Sequence, residues 1–421
     1  MTTMLKPILR LVKDLASGKF RYFKIDKNQN NKTFSDYKVK REECTIKEET
    51  NIKSGMLFRA RNGGEFYWYP FDREIAINNN VAVVEGDESA SNDGLRFMQE
   101  LSNSIIEQKD KVCVLDAGRN FENEAQNFGK EYISIANDKC VCINPFSVLQ
   151  DVQEGFEEDA LWLISALIKM MILDGKAGEQ NDNDVNMYLI KEGVKAVWKE
   201  KREKAGISDL IKWMLQSESN PRENAEYIAC MLSRYGEAGQ YGRYFNGKAD
   251  LDLENDFNAI SFDKVEEVRK VLIAGVLTYI HVKGMQYGVK SYKGVILRDL
   301  IGDFKNKADK IFIEGYLRTQ RLHRKGVISN INPDCEIFKL TNELCDSTCC
   351  MSHDKKAIER LAEKSFLWGS AKKIGQSSYK YPEYLIAANK ILKRIDKETK
   401  YTIEDSIPYL LRGNLKERGH A

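Results

Sequence analysis

Short apolar runs at 81–84, 112–115, 257–262, 294–297 and 327–331, separated by stretches of helical periodicity, constrain this chain more than any other feature. Runs this short and this apolar suit strands covered on both faces. Strands joined by helices pair in parallel, because the crossover helix lies on the sheet. Residues 132–135 and 141–143 offer further strands, and Leu95, Met98 and Leu101 mark the helix after the run at 81–84. From 156 to 234 the pattern is helical, as in Leu161, Ile164, Leu167 and Ile168 and again in Met187, Ile190, Val194, Val197 and Trp198. That block predicts an all-helical insertion. Residues 265–287 and 305–324 read as helices on either side of the run at 294–297. The expected class is α/β with a mostly parallel sheet.

The flanks are patterned differently. Residues 57–59 and 66–69 enclose Asn62, Gly63 and Gly64, a hairpin signal. Residues 1–20 carry Lys6, Arg10, Lys13 and Asp14 at close intervals, which breaks the apolar core of a signal peptide and reads as a short amphipathic helix. Residues 24–53, rich in Lys, Asn, Glu and Asp, read as a polar linker. Beyond 342, short helices are expected beside a weakly patterned stretch at 379–391. The expected division is an N-terminal helix and linker (1–53), a first part of the core (54–155), the helical insertion (156–235), a second part of the core (236–340) and a mixed C-terminal segment (341–421).

Composition excludes several classes. Lys and Arg number 65 against 63 Asp and Glu, a formal charge of +2, so there is no basic footprint for nucleic acid. The apolar stretches 161–173 and 271–282 are too short for a bilayer and contain Lys169 and His281, which points to a cytoplasmic protein. Nine cysteines without regular spacing fit reduced thiols. Cys335, Cys345, Cys349, Cys350 and His353 match no common zinc spacing, and His281, His323, His353 and His420 lie outside any metal or nucleophile motif.

The segment from Gly86 to Asp93 sits between a strand and a helix, where a phosphate-binding loop belongs. Such a loop works because glycines let successive backbone N–H groups face phosphate oxygens, a lysine adds charge and a hydroxyl holds magnesium. Laid on G-x-x-x-x-G-K-[ST], Gly86 matches the first glycine. Ser91 replaces the second glycine, Asn92 the lysine and Asp93 the hydroxyl residue. Judged on composition alone, the segment is a solvated turn with Asp93 capping the next helix.

The surrounding blocks resemble the C-terminal ATPase domain of the TraC family of conjugative type IV secretion. They are Phe66-Tyr67-Trp68-Tyr69-Pro70-Phe71-Asp72, Asn79-Asn80-Val81-Ala82-Val83, Phe97-Met98-Gln99-Glu100-Leu101 and Val114-Leu115-Asp116-Ala117-Gly118-Arg119. Cys142-Ile143-Asn144-Pro145-Phe146 and Tyr241-Gly242-Arg243-Tyr244-Phe245-Asn246-Gly247 follow, the last leading into Leu251-Asp252. The resemblance covers roughly 57–337 and implies a RecA-like P-loop NTPase core, with ATP and magnesium as ligands if the site is functional. It implies type IV secretion subunits, or further copies of the chain in a ring, as partners, in peripheral contact with inner-membrane machinery.

Where the family has a strand ending in Asp-Glu, the Asp supporting magnesium and the Glu activating water, this chain has Arg298-Asp299. A guanidinium cannot ligate magnesium or act as a base, which leaves Asp299 as the degenerate catalytic position. A polar family position after the strand at 327–331 falls on Asn332. Like charges about 4 Å apart interact by roughly 4 kcal/mol at an effective dielectric near 20, so a loop carrying Asp87, Glu88 and Asp93 and no lysine opposes triphosphate. Asp93 and Arg298 are expected either to pair where the metal would lie or to be solvent-exposed replacements. Arg243 is either an arginine offered to a neighbouring subunit or an anchor for its own loop, and Arg318, Arg321 and Arg324 form a stripe read as a solvated face. Two functions remain open: an impaired ATPase-like subunit acting as scaffold or regulator, or a decayed copy of one, and an ATP-hydrolysing motor with a remodelled site.

Overall fold

The computed structural model describes residues 79–338 with breaks at 86–87, 131, 136–140, 175–183 and 217–220. Outside that span it describes 55–60, 65–71, 340, 344–345 and the remaining strands named below. In chain order the elements begin β1 (Arg10–Asp14), β2 (Lys19–Lys24), β3 (Lys40–Thr45), β4 (Met56–Ala60), β5 (Glu65–Trp68), β6 (Val81–Val84) and α1 (Glu88–Glu107). There follow β7 (Val112–Asp116), α2 (Glu122–Asn127), β8 (Ile133–Ser134), α3 (Glu157–Leu173), α4 (Asp184–Lys201), α5 (Ile207–Gln216), α6 (Arg222–Leu232) and α7 (Gly242–Phe245). The chain then forms β9 (Phe257–Ser261), α8 (Arg269–Lys283), β10 (Gly294–Arg298), α9 (Lys307–Leu322) and β11 (Gly326–Ile331), and closes with β12 (Ser347–Cys350), β13 (Glu383–Ala388) and β14 (Leu410–Leu411). They divide into two compact units, one of 1–104, 331–334 and 345–421 and the other of 105–330 and 335–344.

The second unit is built on parallel strands in the order β11-β10-β7-β9-β8. Val295 of β10 lies between Cys113 and Val327, and Leu115 of β7 faces Ile260 of β9. Every residue of β7, β9 and β10 is buried, which is why these strands read as unbroken apolar runs. Helix α8 is buried continuously from Val271 to Val282. The stretch of helical periodicity forms α3 to α6, with α3 packed against α4, α6, α8 and α9. Asn306 and Asp309 form a reciprocal cap on α9: Asn306 Oδ1 accepts the Asp309 N–H at 2.9 Å, and Asp309 Oδ2 accepts the Asn306 N–H at 3.1 Å.

Residues 141–143, expected as a strand, form none. The Cys142 N–H donates to Asp250 Oδ1 at 2.6 Å and the Ile143 N–H to the Tyr244 carbonyl at 2.7 Å, so this backbone is satisfied by the segment 244–250 instead of a sheet neighbour.

In the first unit, β4 and β5 form the expected antiparallel hairpin, its turn at 61–64 lying outside the described residues. The order continues β4-β14-β13-β12-β6, antiparallel except for the parallel pair β12 and β6. The N-terminal helix is corrected: within 1–20 the chain is extended at Arg10–Asp14, and β1, β2 and β3 form a separate antiparallel sheet that takes β3 from the expected linker. Pairing with β2, whose Phe20, Tyr22 and Phe23 favour strand, overrides a helical pattern only a few turns long. Short helices were expected beyond 342; the elements named there among the described residues are the strands β12, β13 and β14, and most of the segment lies outside the described residues. Among the described residues no helix is long and apolar enough to cross a membrane.

Candidate nucleotide site

In parallel α/β sheets ligands bind outside the carboxyl ends of the strands. At that end of the second unit, β10 finishes in Arg298, in register with Asp116 at the end of β7. Arg298 is buried, and its Nε stands 3.2 Å from Oδ2 of the half-exposed Asp299. Asp299 takes a left-handed φ of 57°, which a non-glycine residue adopts at a cost of about 1–3 kcal/mol unless its surroundings hold it. Asn330 on β11 holds it: its Oδ1 accepts the Asp299 N–H at 2.7 Å and its Nδ2 donates to Asp299 Oδ1 at 2.6 Å.

Asp116 is fully buried and already saturated. Its carboxylate accepts the N–H groups of Gly118 (3.0 Å) and Asn120 (2.6 Å), the Asn120 side-chain amide (2.9 Å) and the Tyr132 hydroxyl (2.9 Å). Burial, then the adjacent Asp116 charge, pushes the Tyr132 hydroxyl well above its ordinary pKa and keeps it a donor. The turn after β7 therefore folds around its own carboxylate. Magnesium does not fit this strand end, where Arg298 presents a guanidinium and the carboxylates of Asp116 and Asp299 are both bound by donors. Among the described residues no three His, Cys, Asp or Glu side chains converge as a metal site.

The remaining motif residues belong to the first unit. Gly86 lies outside the described residues. Helix α1 begins at Glu88, so Ser91, Asn92 and Asp93 sit within the helix. From Asn92 onward the backbone N–H groups lie beyond the first turn and bond along the helix. The expectation that Asp93 caps this helix is corrected accordingly. Asn92 is exposed, while Ser91 and Asp93 are half-buried. Glu85 is buried, donates its N–H to the Ile331 carbonyl at 3.1 Å and lies against Gly94, where an added Cβ would overlap its carboxylate.

Arg243 is exposed and lies over the Tyr244 ring, 4.7 Å from its centroid, donating to the Tyr244 hydroxyl at 2.7 Å. Around it the segment 241–247 is tied down. The Asn246 amide donates to the Tyr235 and Gly242 carbonyls and its Oδ1 accepts the Ser208 N–H, while Asn144 Nδ2 donates to the carbonyls of Ala205 and Gly247, both at 2.6 Å. Asn332 accepts the Asp334 N–H at 2.8 Å in an exposed turn, so the polar side chain beside the β10 terminus is Asn330. The polar pair Ser329-Asn330 near the end of a mostly apolar strand was the sequence signal for it. Arg318 pairs with Glu314 one turn away on α9.

Protein TraC of Escherichia coli (strain K12) is 24% identical over 324 residues, covering 73% of this chain and 34% of TraC. The solved structure of VirB4 of Thermoanaerobacter pseudethanolicus superposes with a TM-score of 0.62 over 87% of this chain and 99% of its own, at 12% identity. This chain is similar in sequence to TraC over most of its length and shares its fold with VirB4. It spans about a third of TraC's length. No protein-family model matches it. The genome packaging NTPase B204 from Sulfolobus turreted icosahedral virus 2, solved with AMPPCP, gives a TM-score of 0.35 at 8% identity over 78% of this chain and 95% of its own, too slight a likeness to carry weight here.

Proposed function

We propose that this TraC/VirB4-like domain is an impaired ATPase that serves type IV secretion machinery as a scaffold or regulatory subunit. The observation carrying this reading is the strand end at Arg298: a buried guanidinium in the acidic metal position, paired to Asp299, which Asn330 in turn clasps. Phosphoryl transfer depends on positioning and on charge supplied by lysine and metal. Asn92 and Asp93 supply neither lysine nor hydroxyl, and they lie inside α1. The partners in this reading are other secretion subunits or further copies of the chain in a ring. Its location is cytoplasmic, peripheral to the inner membrane.

The test is equilibrium binding of a fluorescent ATP analogue, with and without magnesium, beside an Asn92→Lys, Asp93→Thr, Arg298→Asp variant. The unmodified chain is expected to show no magnesium-dependent binding and no phosphate release, whereas the variant gains binding. Tight magnesium-dependent binding with turnover in the unmodified chain would establish the motor reading instead.

A further inference from the structure

The opposite, amino end of the same parallel strands holds a cavity of about 250 Å³ to which Lys111, Lys283 and Lys290 contribute walls. Lys111 immediately precedes β7, and its N–H-accepting carbonyl binds Lys293, the residue before β10. Lys325 lies just behind the wall. A Cβ placed on the lining residue Gly284 would stand 2.8 Å from Lys325 Nζ and 2.9 Å from the Cβ of Ser291, another lining residue.

The bonding of these ammonium groups is incomplete. Lys111 donates to the carbonyls of Leu253 (3.1 Å) and Glu254 (3.0 Å), and Lys290 to the Lys109 carbonyl (2.7 Å) and Asp256 (3.2 Å), so each retains a third proton. Among the described residues neither Lys283 nor Lys325 has a hydrogen-bond or ion-pair partner for its ammonium; Lys283 rests over the Tyr279 ring, 5.7 Å from its centroid. Lys325 is only 8% exposed. Buried ammonium groups without an acceptor are rare because desolvation is left uncompensated. The opposing charge comes from Glu254, exposed at the rim, and from Asp256, which is engaged by Lys290.

We infer that this lysine-lined cavity is a binding site for a small phosphate-bearing anion. Several point charges approaching from different directions suit a tetrahedral, multiply charged group, whereas a lone carboxylate is better met by the planar fork of arginine. The volume exceeds that of one phosphate and lies below the range of about 300–1,000 Å³ usual for larger ligands, which suits pyrophosphate or a compact phosphate monoester. Its position at the amino ends of the strands separates it from the Arg298 end, so it does not depend on the functional reading above.

The test is titration calorimetry of the full chain at low salt with inorganic pyrophosphate, with sodium acetate at matched ionic strength as the control. One saturable site is expected, weakened about tenfold by Lys283→Gln and again by Lys325→Met, and unchanged by Lys195→Gln on α4. Hydrogen exchange on the unmodified protein gives a second readout that needs no variant: pyrophosphate should slow exchange across 284–292. No saturable heat, equal affinity in the Lys283→Gln, Lys325→Met double variant, or unaltered exchange across 284–292 would each overturn the inference.

Discussion

Asn330 and Asp299 grip one another at the carboxyl ends of β11 and β10, the amide accepting the Asp299 backbone N–H and donating to its carboxylate. The grip holds a non-glycine residue at positive φ next to a buried arginine. Asn330→Ala removes both bonds and should cost about 2 kcal/mol in urea unfolding at pH 7. Asn330→Asp, which sets carboxylate against carboxylate, should be worse at pH 7 and partly recover at pH 4. Identical midpoints for the unmodified protein and Asn330→Ala would mean that the grip contributes nothing.

Gly94 and Glu85 should be energetically coupled. Gly94→Ala alone gains helix propensity but drives a methyl into the buried Glu85 carboxylate, giving a net loss of about 1–2 kcal/mol. In a Glu85→Ala background the same substitution no longer meets that carboxylate and should stabilise by about 1 kcal/mol. A double-mutant cycle reads the reversal, and additive effects would refute the contact.

Gly242 has no room for a side chain, because an added Cβ would overlap the Gly236 carbonyl oxygen, which is backbone and cannot rotate away. Gly242→Ala should therefore destabilise by about 3 kcal/mol or more, seen as a lower melting temperature. A melting temperature within a degree of the parent would show that the segment 236–242 can shift at little cost.

Stability should rise with pH in two windows. Burial lowers the Lys325 ammonium to about 8 from 10.5. Burial, then the Lys325 and His323 charges, holds His281 well below 6.5. Both are bases with depressed folded values, so the unfolded chain binds more protons. Stability climbs toward pH 6.5 as His281 loses its penalty, and climbs again between about 8 and 10.5 as Lys325 does. Without added anion, Lys325→Met should flatten the upper climb and stabilise the protein at pH 7 by roughly 2–3 kcal/mol. Chemical denaturation at pH 7 and pH 10 measures both, and an unchanged alkaline slope in the variant would assign the climb elsewhere. Charge kept at such a cost in stability suits a binding role for Lys325.

The sequence by itself determined the α/β class, the parallel strands of the second unit and the helices α3 to α6. Strands buried on both faces and helices with an apolar stripe write their period into neighbouring residues. The identities of Asn92, Asp93, Arg298 and Asp299 were equally legible, since residue identity is local. Only the tertiary structure decided how far α1 reaches back, that 10–14 is strand, that 142–143 bonds to 244–250, that Asn330 holds Asp299 and that lysines distant in sequence meet around one cavity. Each of these depends on a partner supplied by a remote segment, and no local periodicity encodes which remote donor will satisfy a backbone group or a buried charge.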